Sequence, residues 1–189
     1  MAQLAKPATL WREEITYEDL SRLERLATAG GFSRPQEAAL AAGLPGQHLR
    51  EGADSSYRFV LAQRDEDIMA CACYGPIAGT LHSWSLYWFM VAPQARNQGL
   101  GAELLARVVR RVAAAGGEML YAEASSQPAH HLIRRFYQSR GYTLLTVLED
   151  FYARGDGKVI YAKNLPEQAL AQAPAGGRSA ARSAAILAR

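Results

Sequence analysis

Residues 86–105 read LYWFMVAPQARNQGLGAELL, and no other stretch limits the fold as tightly. Leu86 to Val91 is an unbroken aromatic and aliphatic run, the pattern of a strand buried on both faces. Pro93 ends it. From Gly99 to Ala115, Leu104, Leu105, Val108, Val109 and Val112 recur at helical spacing, with Arg107, Arg110 and Arg111 on the opposite side. A buried strand that turns through a short loop into a long amphipathic helix belongs to an α/β layer fold. The loop itself is Arg96–Asn97–Gln98–Gly99–Leu100–Gly101. Two glycines one residue apart let backbone approach a ligand closely. The unpaired N–H groups of the helix's first turn, with the helix dipole, form an anion site that suits a diphosphate. Arg96 adds a charge-assisted donor. The loop is not a dinucleotide fingerprint, because Leu104 stands where the third glycine is needed, and no Gly-Lys-Ser/Thr follows to make a phosphate loop. On its own it reads most simply as a turn.

The rest of the chain supplies the layers. Ala8 to Glu14 is a short edge strand. Thr16 caps a helix running to about Thr28, with Asp19 in capping-box position, and Gly30–Gly31 stops it. Ser33 opens a second helix, with Pro35 in its first turn, that runs to Leu44; Pro45 to Ser56 is a loop opened by Pro45–Gly46. Tyr57–Gln63 and Ile68–Tyr74 form a hairpin across Arg64–Asp67, and Gly75 to Ser83 is a loop. Met119–Ala124 is a strand and Pro128–Arg140 a helix ended by Gly141. Tyr142–Leu148 and Lys158–Lys163 are the last strands, joined by the loop 149–157. The order is βααβββαβαββ, which predicts a central mixed, largely antiparallel twisted sheet with helices on both faces.

Charge and composition narrow the function. The chain has 189 residues and a net charge of +3. From Pro166 to Arg189 there are three arginines and one acid, and nine of these 24 residues are alanine. The body before this tail therefore carries +1. It lacks the basic face of a nucleic-acid binder, so no nucleic-acid partner is expected. The expected organisation is one domain over residues 1–165 and a peripheral Ala/Arg-rich tail over 166–189. No apolar run reaches the roughly 20 residues of a membrane helix. No secretory signal opens the chain, and two cysteines make no disulfide scaffold, so the cytoplasm is the expected compartment. Cys71 and Cys73 share one strand face and read as small buried hydrophobes. No second cysteine pair stands by to hold a metal, so none is expected.

A second motif gives the glycine loop its meaning. Phe136–Tyr137–Gln138–Ser139–Arg140–Gly141–Tyr142 closes the last helix. This helix-then-strand pattern, with Arg-x-x-Gly-x-Gly after a hydrophobic strand, resembles the GNAT N-acetyltransferase superfamily over roughly Ala8 to Leu165. Asp150–Phe151–Tyr152 through Gly155–Asp156 and Cys73–Tyr74–Gly75–Pro76 are similar to a bacterial subgroup of it. The resemblance implies acetyl-CoA as acyl donor. Its diphosphate would rest on the backbone of Arg96, Asn97, Gln98, Gly99, Leu100, Gly101 and Ala102. Its pantetheine arm would lie between splayed strands and bond backbone near Met90 and Val91. Tyr137 stands where the family places its general acid, near the CoA sulfur; without the motif it would read as a core aromatic. The family often has Asn seven residues before this tyrosine and Ala four before it; here these are His130 and Ile133. His130 is a candidate for bonding the cofactor arm.

The general base is less marked. Glu123 ends the strand facing the cofactor gap, where a part-buried carboxylate could take a proton or orient the substrate. Asp150 and Asp156 read as turn-stabilising residues. Tyr152 is a wall candidate for an acceptor pocket, and Phe32, Ser33 and Glu37 border that pocket by family analogy. Trp84, Tyr87, Trp88 and Phe89 divide between core and substrate by strand alternation. The reading is direct acetyl transfer to a small-molecule primary amine. The alternatives are a peptide or protein amine, or a non-catalytic acyl-CoA-binding module that would not need Tyr137. A homodimer is an expectation the resemblance carries.

Overall fold

The computed structural model describes residues 8–29 and 35–165. The expectations for Gly30–Gly31, for Phe32 and Ser33, and for the tail from Pro166 lie outside them. Seven strands form one sheet: β1 (Leu10–Arg12), β2 (Arg58–Arg64), β3 (Asp67–Pro76), β4 (Ser83–Val91), β5 (Met119–Ser125), β6 (Thr143–Ala153) and β7 (Asp156–Asn164). Their spatial order is β1-β2-β3-β4-β5-β7-β6. Every pairing is antiparallel except β4 with β5. Four α-helices, α1 (Asp19–Ala29), α2 (Pro35–Glu51), α3 (Leu100–Ala114) and α4 (His131–Ser139), complete the expected order.

The helices cover opposite faces. Phe59 of β2 meets His48 of α2 edge-on at 5.3 Å, and Trp88 of β4 meets Phe59 at 6.0 Å. Phe89, the next residue on β4, stacks on Phe136 of α4 at 5.6 Å and lies beside Gly101 of α3. Thus α1 and α2 share one face, and α3 and α4 the other. The core runs between them through Leu23, Leu26, Leu61, Leu104, Val108, Val112 and Leu120.

Two stretches differ from the sequence expectation. The helix α2 continues through Pro45 to Glu51 rather than stopping at Leu44. Pro45 is fully buried, and Leu44 and Leu49 pack on the core. Tertiary burial therefore outweighs the missing backbone donor. The expected loop 149–157 is mostly strand, closed by a two-residue turn at Arg154–Gly155. Gly155 has φ of 76°. Its N–H donates to the Asp150 carboxylate at 2.5 Å, so Asp150 does stabilise a turn.

The α3 terminus shows how glycine enters the packing. Gly116 has φ of 82°, and the Gly116 and Gly117 N–H groups donate to Ala113 and Val112 in a Schellman cap. A Cβ on Gly117 would meet Val112 at 2.4 Å and Trp84 at 2.5 Å. Gly117→Ala is therefore expected to lower stability by about 1–3 kcal/mol. A denaturant melt indistinguishable from wild type would show that the cap can shift to admit the methyl group.

Candidate active site

The site begins with a missing ladder. β4 and β5 pair only from Ser83↔Met119 to Leu86↔Ala122. Beyond that point Tyr87–Val91 and Glu123–Ser125 continue as strands with no partner between them. The register between β3 and β4 slips at the same place: Cys73 faces Trp88, but Tyr74 faces Leu86. Tyr87 is the extra residue of a β-bulge, and a bulge bends its strand and re-aims side chains. Trp84, before it, lies beside Val112 and Gly117 at the end of α3. Tyr87 meets Tyr57 at 5.3 Å and lies against Gly75, while Trp88 faces α2 through Phe59. The bulge thus puts two successive aromatics on the α1–α2 face and returns Phe89 to the α3–α4 face.

The opened edge carries backbone donors and acceptors. Ala92 donates its N–H to Met69 of β3. Backbone groups alternate along a strand, so those of Met90 and Trp88 also turn toward β3, and those of Phe89 and Val91 turn into the gap. The Val91 carbonyl accepts from Arg96 Nε at 3.2 Å. Of the two residues first named for this edge, Val91 faces the gap; Met90 is buried and paired with Cys71. Phe89, which strand alternation alone leaves divided between core and substrate, also turns its backbone into the gap.

The glycine loop stands at the mouth of the gap. Asn97 and Gly99 have φ of 59° and 84°, and α3 starts at Leu100 with no side-chain cap. Glu103 N–H reaches the Gly99 carbonyl, which leaves the N–H groups of Leu100, Gly101 and Ala102 without an intrahelical partner. A Cβ on Gly99 would meet no atom of the described residues within 4 Å, and Arg96, Asn97, Gln98 and Gly99 are all exposed. This open, uncapped helix start fits a diphosphate. The Gln98 side chain ties the loop down, accepting from Arg64 at 3.1 Å and donating to the Gln94 carbonyl at 2.8 Å.

The second motif is a helix cap that holds a tyrosine. Gly141 has φ of 79°, and the Gly141 and Tyr142 N–H groups donate to the Gln138 and Tyr137 carbonyls. This is a Schellman motif with Tyr137 at C3 and Tyr142 at C″, the two positions whose side chains meet in that geometry. Their rings are 5.4 Å apart, and Tyr161 of β7 lies 5.8 Å from Tyr137. Arg134 secures α4 to the end of β5 by donating to the Ser125 and Gln127 carbonyls at 2.7 and 2.8 Å. Tyr137 is 3% exposed. Burial, then the neighbouring Tyr142 and Tyr161, pushes its hydroxyl pKa well above the ordinary phenol range. The Tyr142 hydroxyl is buried and has no hydrogen-bond partner among the described residues. His130 is half-buried at the head of α4, about two turns before Tyr137.

Glu123 and Tyr137 lie on opposite faces. Tyr161, in contact with Tyr137, pairs with Ala122, so Ala122 faces α4 and the next residue, Glu123, faces the other way. Glu123 is the first β5 residue past the last β4–β5 pair. Its Oε2 is 2.7 Å from Lys158 Nζ, a partner in β7 that no motif in the sequence marks. Lys158 Nζ also lies 4.1 Å from the Phe151 ring centroid and 5.7 Å from that of Tyr152. The β6–β7 tip that carries these aromatics is tied to the end of β5. Ser125 Oγ donates to Asp156 at 2.5 Å, and Gly157 N–H donates to Ser126 Oγ at 2.7 Å.

Other candidates recede. Cys71 and Cys73 are buried free thiols, with pKa values pushed up by burial. No group of three or more metal-ligating side chains occurs among the described residues. A groove of about 530 Å³ beside Trp11, Glu13 and Asp19 lies away from the gap, and Arg12–Asp19 and Arg111–Glu13 ion pairs form within its lining.

The profile of the Acetyltransferase (GNAT) family matches residues 17–142. Among solved structures, a protein of Desulfovibrio desulfuricans assigned to that family superposes with a TM-score of 0.81 at 39% identity, covering 84% of this chain and all of the other. The aminoglycoside 6′-N-acetyltransferase solved with coenzyme A gives 0.70 at 16% identity, over 83% and 97% of the two chains. The ribosomal-protein-S18-alanine N-acetyltransferase of Escherichia coli gives 0.66 at 18%, over 92% and 99%. These last two share the fold. No curated protein sequence matches significantly.

Proposed function

The chain belongs to the GNAT acetyltransferase family, and from that premise we propose that it moves an acetyl group from acetyl-CoA directly to the primary amine of a small molecule. One observation carries the reading. The β4–β5 gap opens onto an uncapped helix start, with a protonated phenol and a carboxylate flanking Ala122 from opposite faces.

The residues divide the work by face. Leu100, Gly101 and Ala102 offer N–H groups to the diphosphate, with Arg96 beside them. Phe89 and Val91 offer backbone to the pantetheine amides, and a gap-facing N–H of β4 stabilises the oxyanion. Acetyl-CoA supplies an activated thioester carbonyl to the gap. On the α1–α2 face, Glu123 takes one proton from the incoming ammonium and passes it to water. On the α3–α4 face, Tyr137 donates to the departing sulfur. Its elevated pKa keeps it protonated at neutral pH, so its hydrogen bond is available before the thiolate forms. The nitrogen loses its second proton as the C–N bond forms and the C–S bond breaks. That proton makes good the one that leaves with the sulfur, and the net reaction releases one proton. Holding both reactants in the gap supplies much of the acceleration.

The test is calorimetry of acetyl-CoA with wild type and Gly99→Glu. Gly99 sits at φ 84° in open space, so the glutamate brings negative charge to the diphosphate and a side chain to a left-handed position. Wild type is expected to bind, and the variant to bind at least tenfold more weakly. No binding by wild type would remove the donor site and the reading with it.

A further inference from the structure

The Glu123–Lys158 ion pair stands on the acceptor face, at the apex of the gap. The carboxylate and ammonium are 2.7 Å apart, and their side chains are 43% and 16% exposed. Such a pair constrains what can bind there. A ligand with a single positive charge competes with Lys158 for Glu123, and where it displaces Lys158 it leaves a mostly shielded ammonium without its carboxylate. A ligand with a single negative charge strands the carboxylate. Lys158 is the more shielded of the two, so leaving its charge without a carboxylate carries the larger penalty, and leaving the more exposed Glu123 unpaired a smaller one. A ligand that carries both signs exchanges partners and strands neither: its ammonium goes to Glu123 and its carboxylate to Lys158.

Two features prepare Lys158 for this exchange. Its Nζ lies over the Phe151 ring at 4.1 Å and within 5.7 Å of Tyr152, so the aromatic faces hold it when Glu123 turns to another cation. The hairpin tip is fixed by the Asp150–Gly155 and Ser125–Asp156 hydrogen bonds and by Gln127 Nε2, which donates to the Gly155 carbonyl at 2.9 Å. The ammonium is thus placed before the ligand arrives. The 2.7 Å separation also sets the ligand's span. Its two charges must sit close together, as on one α-carbon.

We propose that the acceptor is a zwitterion with amine and carboxylate on neighbouring atoms, a free α-amino acid, read by Glu123 and Lys158 together. This rests on the acetyltransferase reading above and narrows it. A peptide N-terminus, whose neighbouring carboxyl is a neutral amide, would leave Lys158 with its aromatic faces and no carboxylate, and would be disfavoured against the free acid.

The experiment follows CoA thiol release by the full chain with a panel of free L-α-amino acids, each beside its α-amide. At least one free acid is expected to be turned over, with kcat/KM about 100-fold above that of its amide. Lys158→Met should bring that ratio close to 1, and Lys158→Arg should restore most of it. Acetyl-CoA calorimetry on each variant reports whether the donor site is intact. An amide used as well as its acid, or a ratio unchanged in Lys158→Met with donor binding intact, overturns the proposal. So does a panel with no turnover while acetyl-CoA binds, and that outcome leaves the acetyltransferase reading standing. Failure of wild type to bind acetyl-CoA overturns both.

Discussion

Tyr137→Phe is expected to lower kcat by about 10²–10⁴-fold, the range for loss of a positioned proton donor, and to leave acetyl-CoA affinity within a few-fold. The change removes one oxygen and keeps the ring. The packing against Phe136, Tyr142 and Tyr161 therefore survives, and so does the Schellman cap, which uses only Tyr137's backbone carbonyl. Stopped-assay thiol detection gives the rate, and calorimetry gives the affinity. A variant as fast as wild type would return Tyr137 to the role of a core aromatic and leave the leaving sulfur without an assigned donor. The pH profile offers a second check. Burial keeps the Tyr137 hydroxyl protonated, so no falling alkaline limb from this group is expected below its raised pKa.

Arg12→Ala is expected to destabilise the fold by about 3–5 kcal/mol, the cost of stranding a buried charge. Asp19 is 1% exposed at the head of α1, and Arg12 grips both of its oxygens at 2.7 and 2.5 Å. The Thr16 N–H donates to the same carboxylate at 2.9 Å. Burial alone would raise the Asp19 pKa; Arg12 and Thr16 more than offset it, so the folded value lies below the ordinary 3.8. An acid with a depressed folded pKa contributes stability above its unfolded pKa and loses it as pH falls through the folded value. In Arg12→Ala the burial contribution is left opposed by Thr16 and by the more distant Arg22, 3.6 Å away, and the folded pKa rises. The deficit relative to wild type should thus be full at pH 7 and narrow as the pH falls below about 4. Denaturant melts at both pH values measure it. A deficit under about 1 kcal/mol at pH 7 would mean that water reaches Asp19 once Arg12 is gone.

The sequence marked what is local and missed what is paired at a distance. Gly99 and Gly141 stood out because left-handed backbone at a helix end is a one-residue requirement. The motif around Tyr137 was legible for the same reason, since the cap that joins C3 to C″ spans only six residues. The bulge at Tyr87 left no trace. Buried and less buried residues alternate without a break from Trp84 to Val91 while the faces exchange beneath them, so Phe89 could not be told from Trp88. Asp19 was read as half of a capping box, which it is; its partner Arg12 lies in another element. Lys158 was likewise an ordinary strand-end lysine until the β5–β7 pairing brought it to Glu123. Pro45 misled for the opposite reason: a strong local breaker was overruled by burial.

The short parallel ladder has a mechanical meaning. The sheet is two antiparallel blocks, β1–β4 and β5–β7, riveted along four residue pairs from Ser83↔Met119 to Leu86↔Ala122. Under tension the blocks would part along that seam, so the line of least strength coincides with the line of catalysis proposed above. The two properties oppose each other. Any substitution that zipped Tyr87–Val91 onto Glu123–Ser125 would satisfy the idle backbone groups and toughen the protein. It would do so by closing the slot proposed to take the thioester. An engineer seeking a hardier version of this enzyme should reinforce it anywhere but there.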